Sequence, residues 1–135
     1  MKNLRYLRRK STFFVETNIN TTFVVTRTIH MDITFDKEYL QELYEVGKTT
    51  NKKYWFQPNV VKRYQARIKT LEMVSTTEDL FTLNSLHYKA LEGDKKGISS
   101  IRVNDQYRIE FTTTQLSSKT MVTICNILEL SNHHK

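Results

Sequence analysis

Two arginines stand on either side of a short polar break in Ser100-Ile101-Arg102-Val103-Asn104-Asp105-Gln106-Tyr107-Arg108-Ile109-Glu110-Phe111. A guanidinium holds phosphate through two parallel hydrogen bonds, so two of them on one surface make a phosphate site. Lys89, Lys95 and Lys96 lie just upstream, in a loop punctuated by Gly93 and Gly97, within reach of a nucleic-acid backbone. The chain closes on His133, His134 and Lys135. Histidine exchanges protons near neutral pH, and one of the two beside a bound phosphate would supply acid–base chemistry. Adjacent side chains on an extended segment point to opposite faces, so only one of the pair would enter such a site. Neither this pair nor Cys125, the one cysteine, belongs to a set with metal-ligand spacing. Each feature also has a plain alternative: a solvated strand face with one Arg–Glu pair, solvated loop lysines, and a frayed terminus.

The register of the arginine hairpin follows from burial. A two-residue loop at Asn104-Asp105 would pair Arg102 with Tyr107 and split the apolar residues between both faces. A three-residue loop, Asn104-Asp105-Gln106, pairs Val103 with Tyr107, Arg102 with Arg108 and Ile101 with Ile109. Every apolar residue then shares one face, and Arg102, Arg108 and Glu110 share the other. Register is set by burying one consistent face, so the second arrangement is expected. Its cost is repulsion between directly opposed guanidinium groups, partly offset by Glu110 on the diagonal.

The elements that must position these groups begin at Met31. Ile33 and Phe35 alternate with polar residues, as in a strand. Asp36 reads as an N-cap, Glu38 as first-turn acid and Gly47 as the C′ stop of a helix that aligns Leu40, Leu43 and Tyr44. A second helix starts near Pro58 or Asn59, with Val61, Tyr64, Ile68 and Leu71 on one side and Lys62, Arg63, Arg67 and Lys69 on the other. Ser75 or Thr76 caps a short third helix through Glu78, Asp79, Leu80 and Leu83. After Gly97 the period becomes two, predicting strands around 98–103, 107–113 and 120–128. Strand, helices and a three-stranded antiparallel meander make a compact α+β domain. Cys125, inside the apolar last strand, reads as a buried thiol, and His87 as a loop residue. Trp55 and Phe56, after Lys52-Lys53-Tyr54, could stack a base or dock a partner, though capping the core between the helices is the expected role.

Composition sets the outer bounds. The chain has 135 residues, with 21 Lys+Arg, 14 Asp+Glu and a formal charge of +7. That length suits one domain, and no apolar run is long enough to span a membrane. Three glycines, one proline and 11% aromatic residues exclude collagen-like and disordered chains. The charge is uneven: residues 1–30 hold six basic residues against Glu16 alone, which leaves +2 for residues 31–135. With the composition break at Met31, residues 1–30 are expected to be a basic extension outside the fold, possible upstream sequence before a start at Met31. Residues 31–135 are expected to form the working domain.

Leu91-Glu92-Gly93-Asp94-Lys95-Lys96-Gly97, the Ser100–Asn104 strand, Gln106-Tyr107-Arg108-Ile109-Glu110-Phe111 and the His-rich tail together resemble the HigB branch of the RelE-like toxins. These are the killer proteins of type II toxin–antitoxin and plasmid-maintenance systems, and the resemblance covers Met31 to Lys135. It implies a RelE-like fold, a small antiparallel sheet with two to three N-terminal helices packed on one face. It also implies a cytoplasmic, metal-independent and cofactor-free mRNA interferase. Such an enzyme cuts mRNA in the ribosomal A site and is silenced by a cognate antitoxin, here of the helix-turn-helix, HigA-type class. On this resemblance Arg108 takes the strand arginine's place at the scissile phosphate. His133 or His134 stands near the family's essential C-terminal Tyr or His. Lys89 replaces a loop histidine and Asn104 a hairpin arginine found in several members, so Arg102 would supply the missing guanidinium. Lys95, Lys96, Arg63 and Arg67 are the further candidates for holding RNA. Two other functions fit the same fold: a ParE-like toxin that inhibits gyrase, and an inactive toxin-fold protein that only binds its partner.

Overall fold

The computed structural model describes residues 6–8, 31–117 and 121–132. Strand β1 is Tyr6–Arg8 and β2 is Met31–Phe35; helices α1, Glu38–Glu45, α2, Pro58–Met73, and α3, Thr77–Thr82, follow. Strands β3, Lys89–Ala90, β4, Ser99–Arg102, β5, Tyr107–Ser117, and β6, Met121–Asn132, complete one sheet in the order β1-β2-β6-β5-β4-β3. The α+β class is as expected. The sheet, however, is mixed: β2 runs parallel to β6, while the remaining pairs are antiparallel. A strand that leaves the sheet through three helices can return beside its start in either direction, so the order of elements left this undecided. β1 comes from the segment expected to lie outside the fold, and it pairs Tyr6 with Phe35 and Arg8 with Ile33. It occupies the backbone edge that β2 would otherwise expose.

The helix boundaries follow local chemistry. Pro58 opens α2 at its first turn, where a missing N–H costs nothing. Thr76 and Asp79 form a reciprocal capping box at α3. Gly47, at φ +86°, ends α1 in the left-handed conformation that glycine adopts freely. Gln65 of α2 then donates to the carbonyls of Leu43 and Tyr44, each at 3.1 Å, satisfying exposed acceptors of that helix end. Asp36 does not cap α1. Its N–H donates to the Ile127 carbonyl at 2.8 Å, which extends the sheet by one residue, and Lys37 becomes the N-cap without a side-chain bond.

The apolar faces meet in one core. Met31, Ile33 and Phe35 of β2, Ile101 of β4, Ile109 and Phe111 of β5, and Ile127 and Leu130 of β6 face Leu40, Leu43, Tyr64, Ile68 and Leu71 of the helices. Cys125 lies fully buried there, and burial pushes its thiol pKa up, so it is a packing residue. Ile127 and Leu130 are an odd number of residues apart, yet both are buried. A β-bulge accounts for this: Glu110 pairs with Glu129 and Phe111 with Ile127, which leaves Leu128 unopposed. The extra residue re-phases β6, so Leu130 enters the core while Glu129 and Ser131 turn to the opposite face.

Deleting Leu128 would remove the bulge and leave Ile127, Glu129, Leu130 and Ser131 in strict alternation, so Leu130 stays in the core and Glu129 and Ser131 stay on the opposite face. Urea unfolding should show a loss within about 2 kcal/mol for this deletion, whereas Leu130→Ala, which empties a core position, should cost about 2–5 kcal/mol.

Candidate functional site

The hairpin adopts the three-residue turn. Val103 N–H donates to the Tyr107 carbonyl at 3.0 Å, Ile101 pairs with Ile109, and Arg102 lies directly opposite Arg108. Asn104 holds the turn through its side-chain oxygen, which accepts from the Gln106 and Tyr107 N–H groups at 2.9 and 2.7 Å. Pairing across the sheet then builds two adjacent rows on the polar face. Lys89, Ser100, Glu110 and Glu129 form one, and Arg102, Arg108 and Ser131 the other. Residues two apart on a strand share a face, so the rows make a single surface.

Arg108 is the centre of that surface, with only 8% of its area exposed. Its Nε donates to Ser100 Oγ at 2.9 Å, and its Nη2 to the His87 carbonyl at 2.6 Å and the Ser100 carbonyl at 3.3 Å. All of these acceptors are neutral, and among the described residues Arg108 forms no salt bridge. Burial, and next the charge of Arg102, lower its pKa, while Glu110 pulls it back up. An arginine nevertheless stays protonated, so a nearly buried positive charge is left without a carboxylate of its own. It lines an open concavity of ≈ 570 Å³ together with Lys95, Glu110, Glu129, Leu130, Ser131 and Asn132.

The neighbouring charges pair off. Lys95, from the Gly93–Lys95 turn, crosses to Glu110 and bonds both carboxylate oxygens, at 2.8 and 3.0 Å. Glu129 accepts from Lys37 at 2.6 Å and from the Tyr39 hydroxyl at 3.0 Å, and its bond holds the Lys37 ammonium above the usual lysine range. Arg102 pairs with Asp105 in its own turn. The diagonal role expected of Glu110 toward Arg102 is thus taken by Asp105, because Lys95 reaches Glu110 first.

The other expected residues divide. Lys89 is exposed on the edge strand β3, in the row of Ser100, and Lys96 is exposed beside Gly97. Arg67 belongs to α2 and is a structural clamp, its Nε donating to the Arg102 carbonyl at 2.9 Å and its Nη2 to the Ser85 carbonyl at 3.4 Å. Arg63 is exposed on the same helix, which packs on the core face and so is not gathered with Arg108. His133 and His134 lie outside the described residues. The last described residue, Asn132, pairs with Tyr107, next to Arg108 in β5. Ser100 and the His87 carbonyl complete the site unforeseen. Ser100 was legible as the polar residue sharing Arg102's face; the His87 carbonyl was not. His87 has φ +45°, a left-handed conformation uncommon outside glycine.

A model of the HigB-like toxins, RelE-like toxins of type II toxin–antitoxin systems, matches residues 33–122. The chain belongs to the HigB-like toxin family. The match contains all three helices and the whole Arg102–Arg108 hairpin, and stops inside β6, before Glu129 and Ser131. No curated protein matches the chain. Like other members of its family, this HigB-like toxin is one half of a toxin–antitoxin pair, with a cognate antitoxin as partner. Among the described residues no helix is long and apolar enough to cross a membrane.

The Arg108 clamp makes two stability predictions. Ser100→Ala leaves the buried Nε unpartnered and should cost about 1–2 kcal/mol in urea unfolding. His87→Gly keeps the carbonyl and removes only left-handed strain, so it should stay within about 1 kcal/mol of the parent.

Proposed function

We propose that this HigB-like toxin is an mRNA interferase that cleaves RNA by attack of a ribose 2′-OH on the adjacent phosphorus. The observation that carries the reading is Arg108: a charged guanidinium held by neutral acceptors at the wall of a concavity. A phosphate there would supply the anionic partner that Arg108 lacks among the described residues, and fixed donors are most effective where water is largely displaced. Lys95 and Lys89 hold the flanking backbone, Arg102 adds positive charge once its exposed pair with Asp105 opens, and Lys96 contributes from the loop.

His133 or His134 transfers protons. One base takes the proton from the 2′-OH as the new O–P bond forms. An acid protonates the 5′-oxygen as the P–O bond breaks, giving a 2′,3′-cyclic phosphate and a free 5′-hydroxyl. Such acid–base help is worth about 10²–10⁴-fold, so a ribosome that pre-orients the mRNA is the expected setting, in the cytoplasm. The antitoxin is expected to be a helix-turn-helix protein of the HigA type that covers the basic face. Residues 31–135 carry the activity, and the N-terminal extension is dispensable for it.

Expression of the chain should arrest growth and generate new transcript ends. Arg108→Ala and the double change His133→Gln/His134→Gln should each lower cleavage by at least about 100-fold, and Arg108→Lys should not restore it. Wild-type cleavage by a folded Arg108→Ala protein overturns the assignment. DNA damage without transcript cleavage would instead indicate a gyrase-directed toxin.

A further inference from the structure

On the helical side of the domain, the loop of residues 47–57 joins α1 to α2, and the three enclose an apolar groove of ≈ 560 Å³. Leu43, Trp55, Phe56, Pro58 and Val61 line it, with Lys48 and Lys62 among them. Phe56 packs against the core as expected, but Trp55 does not cap it: its side chain is 71% exposed. An indole held in water beside an apolar groove with a charged rim marks an interaction surface.

The chemistry of the rim selects the occupant. Lys48 and Lys62 line the groove, and Lys52 and Lys53 precede it in the turn Lys52–Tyr54. None of these four ammonium groups is ion-paired among the described residues. Unpaired cations around an apolar floor favour an acidic partner. A single-stranded nucleic acid would need a run of open aromatic faces. Here Tyr54 stacks on Tyr39 at 3.8 Å with Lys53 over its ring, and Phe56 meets Tyr107 edge-on at 5.4 Å. Trp55 alone is left, which suits one anchor residue pressed against an apolar stripe.

We infer that this groove seats an acidic amphipathic helix of the antitoxin, its apolar stripe on Trp55 and Pro58 and its carboxylates facing Lys48, Lys52, Lys53 and Lys62. Helix-in-groove recognition of this kind places the anchors one turn apart and the charges at the rim. The inference rests on the family's toxin–antitoxin pairing and is independent of the ribonuclease reading. The groove opens on the helical side, whereas Arg108 lies on the other face of the sheet. An antitoxin anchored here therefore grips the toxin without entering the concavity, and any cover over Arg108 comes from a different segment.

Trp55 is the single tryptophan of the chain, so its emission reports from the groove itself. The full chain is mixed with the purified protein encoded beside its own gene. The expected result is a complex in which Trp55 emission shifts to the blue and resists acrylamide quenching. By calorimetry, Trp55→Ala should weaken binding about 30-fold and Lys48→Glu/Lys62→Glu about tenfold. Neither change should alter growth arrest by the toxin alone. A complex in which Trp55 stays as quenchable as in the free chain, with both variants binding normally, overturns the groove and leaves the antitoxin pairing intact. Absence of any complex overturns both. Quenching of Trp55 by a single-stranded oligoribonucleotide, with no protection by the protein, reassigns the groove to RNA and overturns the proposal.

Discussion

A guanidinium at 8% exposure stays in place only if oxygen atoms are brought to it, and much of the polar side of this domain is organised by that demand on Arg108. Ser100 answers it twice, with its hydroxyl and its carbonyl, because β4 pairs with β5 in the register that the Asn104 turn imposes. The third oxygen comes from His87, whose left-handed backbone directs its carbonyl at Nη2. That bond fixes the path of the chain between Leu86, which is buried in the core, and Lys89, which adds an edge strand beside Ser100. The neutral character of all three acceptors matters as much as their number. A carboxylate would have satisfied Arg108 more strongly, but it would have occupied the charge that an incoming phosphate needs.

The last strand meets a second demand, that of phase. β6 must serve the core at Ile127 and Leu130 and the polar face at Glu129 and Ser131. Strict alternation cannot do both, since positions 127, 129 and 131 would then share one face. One unopposed residue at Leu128 resolves the conflict. The same bulge puts Glu129 where Lys37 and Tyr39 can hold it, so helix α1 is tied to the site through its first turn. The chain then runs on to Asn132 alongside Tyr107, next to Arg108 in β5.

Legibility in the sequence follows the range of the interaction. The Arg102–Arg108 register, Gly47 as helix stop, Pro58 at the start of α2 and the Thr76 cap all rest on residues a few positions apart, and all are found as read. Asp36 has the chemistry of an N-cap and fails as one because Ile127, far along the chain, takes its N–H into the sheet. Arg67 has the periodicity of a solvated cation and is claimed instead by the carbonyls of Arg102 in β4 and of Ser85 in the turn after α3. The ends of β5 and β6 lie beyond the predicted 113 and 128 because each supplies the other's hydrogen bonds, which no window on one strand registers. The parallel return of β2 to β6 is likewise a property of the closed sheet.

Charge shows how the two faces divide the work. The +7 of the whole chain suggests bulk attraction to nucleic acid, but residues 31–135 carry only +2. Within the concavity Lys95 is matched by Glu110, and Glu129 by Lys37, so Arg108 keeps its charge on a surface with little net field. On the proposed reading, such a site would attract RNA weakly from a distance and discriminate by fit at one phosphate. Around Trp55 the balance is reversed: several lysines share a rim with no ion pair among the described residues, and an apolar floor lies between them. A surface of that kind accelerates encounter with an acidic protein and then holds it by burial. Under both proposed roles together, the chain would capture a partner quickly on its helical side while remaining selective toward substrate on its sheet. That division needs no movement of one face to inform the other, because β2, β6, β5 and β4 form the rigid layer between them.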